Sequence, residues 1–423
     1  MVQQSHHYVA RSKNHLKFTQ ERLNWSASID CRKKLYTAVY RENFYEIVID
    51  FSDVNKAYPN GIVPIIAVIN DYKRQGIKFV IIEPSKEDVK SLFFKNGWFH
   101  FIEPEKYEYP SQFTNKSLFL QKFSSDEELN DIVNRAIEVC FQQLVFAEGV
   151  PQAFEWALSE IAGNILVHSE DEFGWLQVIT YPEKQKLALI VCDSGVGIPK
   201  TMKTAFPDIR SDQEALEMAI RKGVTSKPNY GQGNGLAGSL AIAQGSNGVF
   251  AITSGQGRIR LLDGKLEHTA HFPHYKGTCV EMQFLTQQEI NLPRALWGHK
   301  PVDYMELKFE DDKGELVFKL RDYASSFGNR ITGERIRNLV RNLLKQNPGK
   351  SIRISMSDIV VISSSFADEL FGKLANELGV IDFGRFIKFD EINPTCQGII
   401  DIAIAQRIAQ TVGYITSMNN NAN

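Results

Sequence analysis

From residue 45 onward, hydrophobic and polar positions mark out the elements. YEIVIDF (Tyr45 to Phe51) reads as a strand, Pro59-Asn60-Gly61 opens a helix reaching about Gln75, and Ile77 to Ile82 reads as a second strand after Gly76. Strand, helix, strand at this spacing predicts a βαβ unit with parallel strands. A helix is expected before it over Ile29 to Arg41. Residues 1 to about 27 are polar and mixed in charge, with Arg11, Lys13, Lys17 and Arg22, and read as a solvated lead-in. Leu129, Ile132, Val133, Ala136, Ile137, Cys140 and Leu144 give Asp126 to Phe146 the apolar side of a helix. Phe154, Leu158, Ile161 and Ile165 do the same for a helix opening at Pro151. Leu187 to Cys192 is a continuous apolar run, too short for a buried helix and right for a central strand.

The C-terminal third repeats the opening theme. SIRISMSDIVVISSSFADELFGKLANELG puts Ser357-Asp358-Ile359 after a strand and before a helix ending at Gly379, much as Ser52-Asp53-Val54 precedes Gly76. Two copies of a small α/β module are therefore expected on either side of a central segment. Residues 286 to 302 carry two prolines and lose periodicity, which suggests a boundary. The expected division is 1–124, 125–287, a linker at 288–302, 303–417, and a disordered tail at 418–423. Arg337, Arg341 and Lys345 share one helix face opposite Leu339, Val340, Leu343 and Leu344; a solvated face is expected there, not contact with nucleic acid.

Three polar clusters in the centre carry candidate chemistry. Glu160, Asn164 and His168 repeat every four residues, so they stack on one face of their helix. A neutral amide oxygen suits Mg²⁺, and a carboxylate one turn earlier can act as a base. His168, in the last turn, reads as a cap answering the helix dipole. Asp193 ends the apolar strand and is followed by Gly195 and Gly197. Its carboxylate accepts hydrogen bonds only, so it can take one from an exocyclic adenine amine but repels the carbonyl that guanine presents there. Gly231, Gly233 and Gly235 lead directly into a helix, where backbone amides and the helix dipole favour phosphate, with Lys227 nearby as a point charge. Gly233-Asn-Gly235-Leu-Ala-Gly238 also fits a dinucleotide fingerprint, but it follows a polar loop and not a strand, which rules that out.

In order and context these clusters resemble the GHKL ATPase superfamily, which includes type II topoisomerases, mismatch-repair ATPases and histidine kinases. Glu160-x-x-x-Asn164 looks like the N box, Asp193-x-Gly195-x-Gly197 like the G1 box, Gly231-x-Gly233-x-Gly235-Leu236 like the G2 box, and Gly277-Thr278-Cys279-Val280 like the closing G-T-x-V. The resemblance implies a Bergerat-type α/β sandwich binding ATP. Asn164 would hold Mg²⁺, Asp193 and Thr278 the adenine, and the glycines of a lid the phosphates. Glu160 resembles the base of the hydrolysing members and of the anti-sigma-factor kinases.

The C-terminal module resembles bacterial STAS-like domains, most closely in Ser364-Ser365-Phe366-Ala367-Asp368-Glu369-Leu370, and the N-terminal module does so more loosely. In STAS antagonists of anti-sigma kinases a serine at this junction accepts phosphate. Ser363, Ser364 and Ser365 are thus candidate phosphoacceptors, while Ser365-x-x-Asp368 also reads as a plain helix N-cap.

Composition adds bounds. With 423 residues, 43% hydrophobic and 23% charged, the chain has room for about three domains. A net charge of -2 gives no general attraction to nucleic acid or anionic membrane. Cys31, Cys140, Cys192, Cys279 and Cys396 lack metal-ligand spacing, and their odd number argues against a complete disulfide framework. With neither a secretion signal nor a membrane-length apolar stretch, a cytoplasmic location is expected. The expected fold class is α/β: a central GHKL sandwich between two STAS-like modules. The expected function is ATP-dependent signalling with slow hydrolysis, through protein partners of the modules or a homodimer. Serine phosphotransfer and a non-catalytic ATP-dependent scaffold are the alternatives.

Overall fold

The computed structural model describes residues 8–110, 118–171, 173–226, 233–298, 304–324 and 326–420. The protein is mixed α/β, with three sheets of three or more strands among the described residues. The central sheet has five strands in the order Val249–Leu262, Lys265–Leu285, Lys186–Cys192, Gly174–Tyr181, Gln121–Phe123, antiparallel throughout. Its middle strand is the expected apolar run. Leu187, Leu189 and Val191 join the core formed with helices Asp126–Gln143 and Val150–His168, while Ile190 and Cys192 join the core of the N-terminal unit. A strand covered on both faces has no polar side to show, so the run is continuous where a half-exposed strand would alternate.

The N-terminal sheet runs Val9–Ser12, His15–Phe18, Glu46–Asp50, Lys78–Ile82. Its last two strands are parallel and joined through helix Pro59–Arg74, as the βαβ spacing predicts. Residues 8–23 are not a solvated lead-in. They form an antiparallel hairpin and a further short strand, with Val9, Leu16, Phe18 and Leu23 fully buried. The period-two pattern is present in His15-Leu16-Lys17-Phe18 but is masked by outward basic residues, which pair locally: Lys17 with Asp53 and Arg11 with Glu42. Asn24 caps the following helix, Trp25–Tyr36, accepting from the Ala27 amide at 3.1 Å.

The C-terminal sheet has three parallel strands in sequence order, Leu316–Lys319, Ile352–Ser355 and Ile387–Asp390. Helix Arg330–Gln346 packs against Asp126–Gln143. Fully buried Asn342 donates to the carbonyls of Phe141 (2.9 Å) and Leu144 (2.7 Å) and accepts from the Phe146 amide (3.0 Å). One hydrophobic core runs through the central and C-terminal units, and a second joins the N-terminal unit to the other face of the central sheet. The basic stripe is solvated only at Lys345. Arg337 is buried against Glu369, bonded to its carboxylate at 2.7 Å and its carbonyl at 3.0 Å, and Arg341 reaches Glu377 at 3.2 Å, because the segment from Asp368 to Leu378 packs over that side. Helix Pro394–Asn420 continues through residues 418–420 of the expected disordered tail; 421–423 lie outside the described residues. Among the described residues no helix is long and apolar enough to cross a membrane.

Candidate functional site

Helix Val150–His168 follows Gly149 and has Pro151 in its first turn, where a missing amide costs nothing. Phe154, Leu158, Ile161 and Ile165 bury its apolar stripe. Glu160, Asn164 and His168 line a cavity of about 390 Å³. Asp193, Gly197 and Thr278 line it too, as do Gly233, Gly235 and Leu236. Four separate stretches of chain thus meet at one hollow. Lys227 and Gly231 lie outside the described residues.

Asp193 is buried beneath this cavity. Its Oδ1 accepts from the Gly195 amide at 2.8 Å and its Oδ2 from the Thr278 amide at 3.0 Å. Burial pushes its carboxyl up to about 7; the two amide bonds oppose that rise and neighbouring Asp171 adds to it. Each oxygen keeps lone-pair capacity beyond its one amide bond, so a donor within the cavity can be accepted.

Gly195 does not line the cavity. It borders a second hollow, with Asp71, Arg74, Asp171 and Lys276. Its need for glycine is steric, since a Cβ there would stand 2.0 Å from the Ser169 carbonyl oxygen. Its amide serves the site indirectly by orienting Asp193. Gly197 adopts φ +74°, which disfavours any side chain, and a Cβ would meet Ser254 Oγ at 2.7 Å. That hydroxyl donates to the Gly277 carbonyl at 2.6 Å and accepts from the Ile198 amide at 3.0 Å, tying the turn to the strand carrying Thr278.

At the other end, helix Gly235–Gly245 points its first turn at the polar face of Val150–His168. A Cβ on Gly235 would lie 2.5 Å from Glu160 Oε2 and 3.5 Å from Asn164 Nδ2. A helix N-terminus, a carboxylate and an amide are thereby grouped, an arrangement suited to an anion and its counter-cation. Among the described residues no group of three or more His, Cys, Asp or Glu side chains stands close enough to hold a metal alone. The sequence carried no sign of one wall. Trp156 and, from the segment without periodicity, Leu296 and Trp297 also line the cavity. Trp297 sits at φ +53°, uncommon for a bulky residue, with the Lys222 ammonium 4.7 Å from its ring centroid.

The candidate phosphoacceptors lie elsewhere. Ser363 is the cap of helix Ser364–Ala367, accepting from the Phe366 amide at 3.1 Å, and its hydroxyl is 3.0 Å from that of Ser365. The cap is therefore Ser363 and not Ser365. Asp368, expected to complete the cap, instead pairs with Arg407 and Arg330. None of Ser363, Ser364 and Ser365 lines the cavity.

Residues 332–396 match the STAS-like domain of unknown function (DUF4325). The stretch runs from the first turn of helix Arg330–Gln346 to the start of Pro394–Asn420 and contains the serine cap. The STAS-like module thus lies outside the cavity-bearing centre in sequence while sharing its core. No curated protein matches the chain.

Proposed function

We propose that the cavity binds ATP with Mg²⁺ in the manner of a GHKL (Bergerat-type) site, and that slow hydrolysis there resets a signal read through the flanking modules. The supporting observation is the convergence of Glu160, Asn164, Asp193 and Thr278 with the Gly233–Gly235 turn on one hollow. Its volume of about 390 Å³ lies within the usual range for small-ligand sites. The fit to each part of the ligand is chemical. The buried Asp193 carboxylate offers acceptors to an adenine amine and would repel a guanine carbonyl. Helix Gly235–Gly245 offers amides to phosphate, beside an Asn164 amide whose oxygen is a suitable Mg²⁺ ligand. Asn164 would hold a magnesium ion there, which would supply neutralisation of phosphate charge. Glu160 orients a water and takes its proton as the oxygen attacks the terminal phosphorus; the bond to the bridging oxygen breaks and ADP departs.

Calorimetry with ATP and GTP, together with turnover measurements, tests this proposal. Binding of ATP over GTP that disappears in Asp193→Asn, and hydrolysis lost in Glu160→Ala with binding retained, are the expected results. Unchanged ATP affinity in Asp193→Asn would remove the adenine contact, and hydrolysis surviving in Glu160→Ala would remove the base. Since Ser363, Ser364 and Ser365 lie away from the cavity, phosphotransfer within one molecule gains no support from the geometry. Transfer of γ-label to protein would indicate a kinase acting on another chain, and tight binding without turnover a scaffold.

A further inference from the structure

Behind the cavity floor lies a pair of groups to which the proposed nucleotide chemistry assigns no role. Cys192 and Cys279 face one another across the antiparallel strands Lys186–Cys192 and Lys265–Leu285. The Cys192 thiol donates to the Cys279 sulfur 3.0 Å away. Asp193 and Thr278, one step along the register, are joined by a backbone hydrogen bond of 2.9 Å. The cysteines thus occupy the non-hydrogen-bonded position, where Cα atoms approach to about 4.5 Å and side chains stand closest. That separation falls within the span of a disulfide.

Both thiols are buried, and the cover is the N-terminal unit. Helix Trp25–Tyr36 brings Arg32 next to them, its guanidinium 4.8 Å from the Tyr275 ring centroid. Arg32 Nε and Nη2 and the hydroxyls of Tyr275 and Ser28 are buried with no hydrogen-bond partner among the described residues. Each of these atoms loses water without a hydrogen bond in return, which works against the docking of the cover. Its polar attachments include two ion pairs at the rim, Asp71 with Lys276 (2.6 Å) and Arg74 with Asp171 (2.6 Å), and two buried bonds, the Ser194 hydroxyl donating to the Ala67 carbonyl (3.0 Å) and the Trp98 indole donating to Gln177 (2.9 Å).

We propose that Cys192 and Cys279 form a redox-active dithiol, shielded while the N-terminal unit is docked and oxidised to a disulfide by low-molecular-weight disulfides when it lifts. Burial pushes the Cys279 thiol up, so while covered it stays protonated and inert. Once wetted, one thiolate attacks a sulfur of the small disulfide and expels the first small thiol. The second protein thiolate then attacks the mixed disulfide at the protein sulfur and expels the other. The protein loses two electrons and two protons, and the oxidant becomes two thiols. Because Asp193 follows Cys192 and Thr278 precedes Cys279, the new bond clamps the strands at the cavity floor.

The test uses the folded full-length chain and glutathione disulfide, read by intact mass and peptide mapping. The expected product lacks two hydrogens, joins residues 192 and 279, persists in Cys140→Ser and is absent from Cys279→Ser. Asp71→Asn, which weakens the rim, should oxidise several-fold faster, and alkylation should find two fewer free thiols after oxidation. A pair that stays reduced in both the wild type and Asp71→Asn, yet oxidises in urea, overturns the proposal. So does oxidation that joins Cys31 on the covering helix, or any other cysteine, in place of this pair.

Discussion

Asp193 is almost wholly buried at the edge of the cavity, and this sets two opposite pH dependences. Its carboxyl is raised to about 7 in the folded chain, above the roughly 3.9 of an unfolded one, so the native state holds the proton more firmly. Ligand-free stability through this group is therefore complete below about pH 4 and falls as pH rises towards 7, by at most about 4 kcal/mol. An amine donor favours the ionised form, so the proposed ATP affinity should peak above pH 7 and weaken roughly tenfold per unit below it. Melting curves with and without ATP from pH 5 to 8.5 check both, the ATP-induced shift growing with pH. Glu160→Ala should lower turnover by about 10²- to 10⁴-fold while affinity changes less than tenfold, as single-turnover and binding measurements would report. The four-residue spacing of Glu160 and Asn164, and the position of Asp193 at a strand end, make these residues legible in the sequence. Gly195 is misplaced by the same reading, because proximity to Asp193 in sequence does not say which side of the turn faces the cavity. Trp297 is invisible to it, since a lone aromatic between prolines has no period.

Elements make their own predictions. Removing the Asn342 side chain leaves two buried carbonyls and one amide without their partner, so Asn342→Ala should cost about 3 kcal/mol or more in denaturant unfolding. Ser363→Ala removes a helix cap and should cost about 1 kcal/mol while leaving nucleotide turnover untouched. Elements marked by a clean period, an unbroken apolar run or a helix-opening proline are readable: Asp126–Gln143, Lys186–Cys192 and Pro59–Arg74 fall where the pattern puts them. The N-terminal hairpin is not, because four-residue strands with basic outer faces have the composition of a loop. Nor is the Ser363 cap, since three consecutive serines satisfy several cap registers and only the backbone selects one. Arg337 misleads for a related reason: a guanidinium on a helix face reads as solvated until its carboxylate partner, 32 residues away, is brought against it.

On the scale of the whole molecule, segments that look separable in sequence are joined by shared cores. Cutting the chain before residue 304 would strip the cover from Phe141, Leu144 and Phe146, so the fragment ending there should aggregate or melt well below the intact protein, as scattering and calorimetry would show. The anatomy of the cavity has a further consequence. Trp297 belongs both to its wall and to the stretch leading into the STAS-like module. A molecule in the hollow that displaces Trp297 shifts the tether of the adjoining C-terminal unit, and thermodynamic reciprocity then applies. A protein that grips that unit and shifts the tether must strengthen or loosen the small molecule's hold by the same factor by which the small molecule alters the grip.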